Sequence, residues 1–360
     1  MNRFYATLVA LIACLGLYAQ AGAGYYVDAG SLTLCGQIFP SNANPYHRVD
    51  TAVFSGFTRG ENVLVRESAG LALAFRTNSS FINVRATFGT IQYKVNVGGI
   101  AVKGFDLYIR SGKKWLWAGS GAGKDGHENE PLTIVRNMDG DMHECLLYLP
   151  LFAEVTSLEI GVEDGSVIEA IPSPFRHRVL IYGSSFTHGA SVSRSGLPYA
   201  SRFTRSTGIQ LLNLGVSGNC KMQDAFVDVL CAADVDAFIF DTFSNPTVGQ
   251  IEQRLFPFIE RLQAAHPGIP LIFQASIYRE KRNFNAAEED KEAARRHMSD
   301  SLMRIAVKRY PDVYYIAPNA TDKFHESTVD GVHPGDHGHF LWEKSIEKRV
   351  LRILRRYGIR

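Results

Sequence analysis

Cysteine is scarce in this chain, five among 360 residues, and none of the five stands at the spacing of a zinc module. That excludes a small disulfide scaffold and leaves an apolar core to hold the fold. An excess of one charge is lacking too. With 38 basic against 36 acidic residues and a net charge of +2, bulk electrostatics points to neither nucleic acid nor a membrane surface as partner. After the first two dozen residues no long apolar run occurs, which argues against a membrane span. No fixed-period repeat or low-complexity tract occurs either, which argues against a solenoid or a long disordered arm. What is present is ordinary globular material, 46% hydrophobic and 21% charged, in a chain long enough for two domains. One local basic cluster, Lys344, Lys348, Arg349, Arg352, Arg355 and Arg356, is interleaved with Ile346, Val350, Leu351, Ile353 and Leu354 at helical spacing, and reads as a solvated helix face.

The N-terminus has the form of a secretory signal. Asn2-Arg3 is a positive start, Phe4 to Tyr18 is almost wholly apolar, and Ala19-Gln20-Ala21 or Ala21-Gly22-Ala23 offers small residues for cleavage, so residues 1–23 are expected to be removed. Leu11-Ile12-Ala13-Cys14 keeps open a lipid anchor at Cys14, although the residues after it stay apolar. The mature protein is expected to be secreted or periplasmic. Its cysteines are Cys35, Cys145, Cys220 and Cys231; Cys35–Cys145 and Cys220–Cys231 are pairings open to them, and buried free thiols are the alternative.

The mature chain has two rhythms. From residue 24 to 172 short runs rich in Val, Ile, Thr, Tyr and Phe alternate with turn residues: Leu71 to Phe75, Phe81 to Phe88, Ile91 to Val97, Phe105 to Ile109, Trp115 to Trp117, Cys145 to Leu149 and Ser157 to Val162, with turns at Gly98-Gly99, Ser111-Gly112 and Asp139-Gly140. An all-β sandwich or jelly roll is expected. After Ile171-Pro172-Ser173-Pro174 the pattern changes. Apolar runs at Val179 to Tyr182, Leu211 to Leu214, Ala237 to Asp241, Leu271 to Gln274 and Val313 to Ile316 alternate with helical segments at Met222 to Ala232, Val248 to His266, Ala286 to Tyr310 and about His337 to Tyr357. Residues 173–360 therefore read as an α/β domain, a doubly wound parallel sheet whose chemistry gathers at the carboxyl ends of the strands.

The polar residues fall at those ends. The first run stops at Gly183-Ser184-Ser185-Phe186-Thr187-His188-Gly189, where Gly183 allows a backbone angle that a side chain would resist and Ser185 stands at a strand-to-helix turn. The second ends in Gly215-Val216-Ser217-Gly218-Asn219, able to point backbone N–H groups at a ligand, and the third in Ser244-Asn245, which offers an amide donor. Before the last helix comes Asp330-Gly331-Val332-His333. A serine hydroxyl needs a base, and this spacing lets Asp330 fix the tautomer of His333 while His333 takes the proton of Ser185.

Four blocks in this order resemble the SGNH, or GDSL-type, serine esterase and acylhydrolase superfamily. Gly183-Ser184-Ser185-Phe186 matches the Gly-Asp-Ser-Leu block, Gly218 the second-block glycine, Asn245 the third-block asparagine, and Asp330 with His333 the Asp-x-x-His block. Gly104-Phe105-Asp106-Leu107-Tyr108 resembles the GxDLY signature of a domain that precedes some bacterial esterases of this type. Ser184 stands where that family has aspartate, and Phe243-Ser244-Asn245-Pro246 where it has Gly-x-Asn-Asp. The resemblance implies a flavodoxin-like sheet behind the β-domain, Ser185 as nucleophile, His333 as base and Asp330 as its partner. It also implies an oxyanion hole from the N–H groups of Ser185 and Gly218 and the Asn245 amide, with no cofactor or metal. By analogy with such two-domain esterases the substrate is an acylated, chiefly acetylated, carbohydrate or another small ester. A lipid or thioester acylhydrolase and a non-catalytic glycan-binding module are the alternatives.

Several further side chains carry open readings. His188 either lines the pocket or is structural. Asp336 reads as the N-cap of the last helix, which explains it more simply than a metal site with His337 and His339. Trp115 and Trp117, on one face of a strand, are expected in the sandwich core, with stacking on sugar as the alternative. Asp106 and Tyr108 are either structural or shape the meeting of the two domains.

Overall fold

The structure, a computed structural model, describes residues 24–360; the expected signal peptide and Cys14 lie outside the described residues. The first half contributes ten strands: β1 (Gly24–Asp28), β2 (Thr33–Cys35), β3 (Ala72–Thr77), β4 (Phe81–Ile91), β5 (Phe105–Ser111), β6 (Lys114–Gly121), β7 (Leu132–Arg136), β8 (His143–Tyr148), β9 (Ala153–Glu163) and β10 (Ile168–Ala170). One sheet has the order β1-β9-β4-β7. The other has β10-β3-β8-β5-β6, with β2 also pairing to β3. Side chains on a strand alternate between faces, so Leu73, Phe75, Leu107 and Leu147 of the second sheet meet Ile82, Val84, Leu158 and Ile160 of the first in a sandwich core. The intervening residues Ala72, Ala74, Tyr108, Leu146 and Tyr148 pack on the opposite face, and the Tyr148 hydroxyl reaches the Ser201 carbonyl at 3.5 Å. The second sheet is thus covered twice, by its partner sheet and by the C-terminal half.

That half contains β11 (Arg176–Gly183), β12 (Ile209–Gly215), β13 (Ala237–Asp241), β14 (Leu271–Gln274) and β15 (Val313–Ile316), all parallel in the order β12-β11-β13-β14-β15. This is the flavodoxin-like order, and its switch point lies where β11 is flanked by β12 and β13. The helices along the chain are α1 (Arg59–Arg66), α2 (Gly99–Lys103), α3 (Ser185–His188), α4 (Tyr199–Thr207), α5 (Asp224–Ala232), α6 (Val248–Ala265), α7 (Ala286–Arg309) and α8 (Asp336–Leu354). Leu180 and Tyr182 face α5, α6 and α7 through Phe226, Phe258 and Met303. Val179 and Ile181 face α4 and α8 through Phe203, Trp342 and Ile346. The sheet is doubly wound because its strands are apolar on both faces.

Several expectations need correction. The first half is the expected β-sandwich, but it carries two α-helices besides its strands. Thr58 and Glu61 form a capping box that starts α1, and Leu64 and Val65 pack with Ile38 and Val49 onto the core of the parallel sheet. The run Ile91 to Val97 is a strand only to Ile91. Beyond it the Gln92 N–H donates to the Phe152 carbonyl at 2.8 Å, and a turn closed by Val97 N–H to Lys94 carbonyl (3.2 Å) follows, because Val97 is drawn into an apolar cluster with Val102, Leu151, Phe152, Ala190 and Leu197 between the halves. Gly98-Gly99 opens α2 rather than a hairpin.

The four described cysteines are free. Cys35 and Cys145 lie on opposite faces of the second sheet, so the sheet itself separates them. The Cys220 thiol reaches the Asp241 carbonyl and the Cys231 thiol that of Arg261. Burial pushes the Cys35 thiol up to about 11, despite a counteracting hydrogen bond with Ser173, and Cys145 to about 12, which leaves both unreactive. Trp117 is not in the core. It is 54% exposed on the edge strand β6, with the Arg194 guanidinium 4.8 Å from its ring, while Trp115 packs at the margin of the sheet's outer face under Arg110.

Candidate active site

The site begins where β11 stops. Gly183 is required by space rather than by backbone angle: a Cβ there would collide with the Thr187 side chain, which folds back over it as α3 turns. Ser184 caps α3, its hydroxyl accepting the Phe186 N–H at 3.2 Å and donating to Asp241 Oδ2 at 2.7 Å. A carboxylate therefore does stand beside this turn, brought by the end of β13 rather than by position 184. Asp241 also accepts from the Ser184 N–H (3.1 Å) and from the hydroxyls of Thr187 (3.1 Å) and Ser244 (3.2 Å). Burial raises its carboxyl and the Ser184 hydrogen bonds lower it, with burial prevailing. This network sets Ser185 at the N-terminus of α3, 8% exposed, where N–H groups have no partner inside the helix.

The Asp330–His333 loop meets it from above. Asp330 Oδ1 accepts the N–H groups of Val332 (3.0 Å) and His333 (2.8 Å), and Oδ2 accepts His333 Nδ1–H at 2.7 Å. Burial alone would raise the Asp330 carboxyl. The hydrogen bonds from the His333 backbone and ring outweigh it, so the group lies below its usual range. His333 Nε2 is 3.0 Å from Ser185 Oγ, and Phe186 meets the imidazole edge-on at 5.6 Å. The base of the loop is tied to Glu280, which accepts from the N–H groups of Ser327 and Thr328, each at 2.9 Å.

Gly218 and Asn245 complete the set. Gly218 has φ of +74°, a conformation that favours glycine, and it lines the same cleft as Ser185. Asn245 Oδ1 accepts the Cys220 N–H at 3.2 Å, which leaves its NH2 group for the cleft. The carbonyl before it, on Ser244, accepts from Arg279 (2.6 Å) and Arg295 (3.1 Å), and Glu292 pairs with both guanidinium groups. Sequence reading passed over these three, because their partners lie across α7 with no motif to mark them. It also passed over Lys94, Asn96 and Phe152, which bring the first half into the wall of a cleft of about 370 Å³.

At the site one open reading is decided and one expectation fails. His188 does not line the cleft. The single turn of α3 carries it inward, where it is fully buried, stacked on Phe152 at 4.3 Å, 2.7 Å from the Leu151 carbonyl and 3.1 Å from Glu67. Asp336 is not a cap. It is the first residue of α8, follows Gly335, and accepts from the Ser193 N–H (2.8 Å) and hydroxyl (2.6 Å). His337 faces Asp322 and His339 accepts from the Tyr199 N–H, so these three residues point to separate partners. Among the described residues no group of three or more His, Cys, Asp or Glu could hold a metal ion. Asp106 and Tyr108 lie where the halves meet. Asp106 accepts from Trp117 Nε1 (3.1 Å), Arg194 (2.9 Å) and the Gly196 N–H (3.0 Å), and the Arg205 guanidinium covers the Tyr108 ring at 4.0 Å.

A flavodoxin-order sheet with these residues at its strand ends, behind a β-sandwich, defines an esterase of the SGNH class. The chain belongs to the GDSL-like lipase/acylhydrolase family, whose model matches residues 176–352, while a model of the N-terminus of SGNH hydrolase-type esterases, GxDLY, matches residues 25–168. A Bacteroides ovatus protein described as a GDSL-like lipase is 35% identical and superposes with a TM-score of 0.89, covering 92% of this chain and 98% of its own. Two more distant structures share the fold. The salicylyl-acyltransferase SsfX3 from a tetracycline biosynthetic pathway is 18% identical, with TM-score 0.72 over 95% of this chain and 100% of its own. A family two carbohydrate esterase from Cellvibrio japonicus is 11% identical, with TM-score 0.58 over 93% of this chain and 99% of its own. No curated protein sequence matches the chain significantly.

Proposed function

We propose that the protein is an exported serine esterase that removes short acyl groups, chiefly acetyl, from carbohydrate. The observation that carries this reading is the continuous contact from Ser185 Oγ through His333 (3.0 Å) to Asp330 (2.7 Å) in a cleft shared with Gly218 and Asn245. His333 Nε2 takes the Ser185 proton as Oγ attacks the ester carbonyl, and Asp330 stabilises the imidazolium through Nδ1–H. The oxyanion is received by the N–H groups of Ser185 and Gly218 and by the Asn245 amide. His333 then protonates the departing alkoxide, and water, deprotonated by the same imidazole, releases the acyl group from Ser185.

The lining supports a short acyl group on a polar alcohol. Its apolar part is limited to Phe152, Phe186, Ala190 and Val332, and polar side chains or glycine make up the rest. Carbohydrate esterases are among the proteins with this fold. In this reading residues 24–172 form the β-domain, residues 173–360 the catalytic domain, and residues 1–23 direct export; N-terminal sequencing of the natively produced enzyme is expected to start near Gly24. The decisive experiment is acetate release from a panel of acetylated poly- and oligosaccharides, with Ser185→Ala alongside. Release by the wild type that the variant lacks is the expected outcome. Preference for long acyl esters would replace it with lipid chemistry, and glycan binding without release would replace it with a binding role.

A further inference from the structure

We propose that Asn96, on the β-domain, is a positioning residue for the His333–Asp330 pair, so that the N-terminal half completes the active site; the inference rests on the triad reading above. Asn96 Nδ2 lies 3.0 Å from Asp330 Oδ2 and 3.1 Å from His333 Nδ1. The chemistry allows only one of these to be a hydrogen bond. Nδ1 carries the proton that it donates to Asp330, so it has no lone pair to offer, and the Asn96 amide must donate to the carboxylate. The closeness to Nδ1 follows because both donors converge on one oxygen.

Counted this way, the Asp330 carboxylate has a full set of partners: two backbone N–H groups on Oδ1, the imidazole and Asn96 on Oδ2. Three of the four come from its own loop. That loop is tied at its base to Glu280 and by the Lys281 N–H on the Gly331 carbonyl (2.8 Å), but the Asp330 and His333 side chains stay partly exposed, so few contacts hold the pair itself in line. Asn96 is the support from outside, and it is itself well held. It sits in the turn closed by Val97 N–H to Lys94 carbonyl, between Gln92, bonded to the Phe152 carbonyl, and Val97, buried in the cluster between the halves. A turn of one domain thus braces a loop of the other, at the oxygen that faces the imidazolium when it forms. Misplacement of a catalytic group by a fraction of an ångström is enough to slow chemistry without altering substrate binding.

The test compares wild type, Asn96→Ala, Asn96→Asp and Ser185→Ala by two readouts: kcat and KM on 4-nitrophenyl acetate, and the rate at which a fluorophosphonate probe phosphonylates Ser185. The second readout needs no knowledge of the natural substrate. Loss of the amide is expected to lower kcat and the labelling rate on the order of 10-fold or more while KM stays within about twofold, as befits one hydrogen bond to a charged group. Asn96→Asp preserves the shape but turns a donor into an acceptor facing Asp330, and is expected to be slower still. A merely structural residue would show the opposite order, with the isosteric change the milder. Should Asn96→Ala fail to fold, Asn96→Ser takes its place under the same expectations. Wild-type rates in these variants, or a milder effect of Asn96→Asp, would overturn the proposal while leaving the triad intact. Labelling of Ser185→Ala equal to wild type, or no labelling of wild type, would instead bring down the triad reading and this proposal with it.

Discussion

Asn245 turns its carbonyl to the Cys220 N–H, and that one bond decides which end of the amide faces the cleft. Replacing it with alanine is expected to lower kcat on the order of 100- to 1,000-fold with little change in melting temperature, because the lost donor acts on the transition state; kinetics beside a thermal melt check both halves of the statement. Asp241 behaves differently. Its buried carboxylate accepts from Ser184, Thr187 and Ser244, so Asp241→Asn points an NH2 group at donors. A stability loss of about 2 kcal/mol or more is expected in urea unfolding, with a fall in activity as the Ser185 turn loosens. Ser185, Asp330 and His333 were legible as a local pattern of residue types. Asp241 as the partner of Ser184 was not, because nothing in the sequence ties the end of β13 to the turn after β11 until the parallel register sets Gly183 level with Asp241.

Among the elements, the connection from α3 to α4 carries more than its length suggests. Its residues Arg194 and Gly196 donate to Asp106 on β5, and Ser193 donates to Asp336 at the start of α8, one short loop from His333. Breaking the first link by Asp106→Ala removes a buried carboxylate and leaves the partly exposed Arg194 and the Gly196 N–H without their acceptor. It is expected to destabilise the protein by about 2 kcal/mol, measured by denaturant unfolding, and to reduce turnover through the altered approach of α8. The GxDLY stretch was visible in the sequence as a signature, but its partners were not. The segment after Ile91 teaches the same lesson in reverse. Its Val and Tyr content reads as a strand, yet Val97 gains more by joining the apolar cluster between the halves than by extending a sheet edge, and the resulting turn is what carries Asn96 to the Asp330–His333 loop.

At the scale of the whole molecule, the two halves share buried groups. Arg48 is fully buried and donates to the carbonyls of Gly215 (2.7 Å) and Glu67 (2.8 Å), fastening the α1 segment to the end of β12. His188 and His339 are buried as neutral rings, His339 pushed down to about 4 by burial. The unfolded chain takes up a proton near 6.5, so the contribution of each to stability is complete above that pH and declines below it, that of His339 being lost as pH falls toward 4. For His339 alone this amounts to about 3 kcal/mol. Urea unfolding at pH 7 and pH 4.5 is expected to show the decline, and His339→Gln to flatten it. The sequence by itself determined the two rhythms, the five parallel strands and the residue types at their ends, because side-chain periodicity and short-range turn chemistry are local properties. Only the tertiary structure decided that Trp117 faces solvent, that His188 turns inward, that the cysteines stay apart and that Asn96 stands beside Asp330. Each of those depends on which surfaces the two halves bury against one another, and burial is settled by the packed chain as a whole.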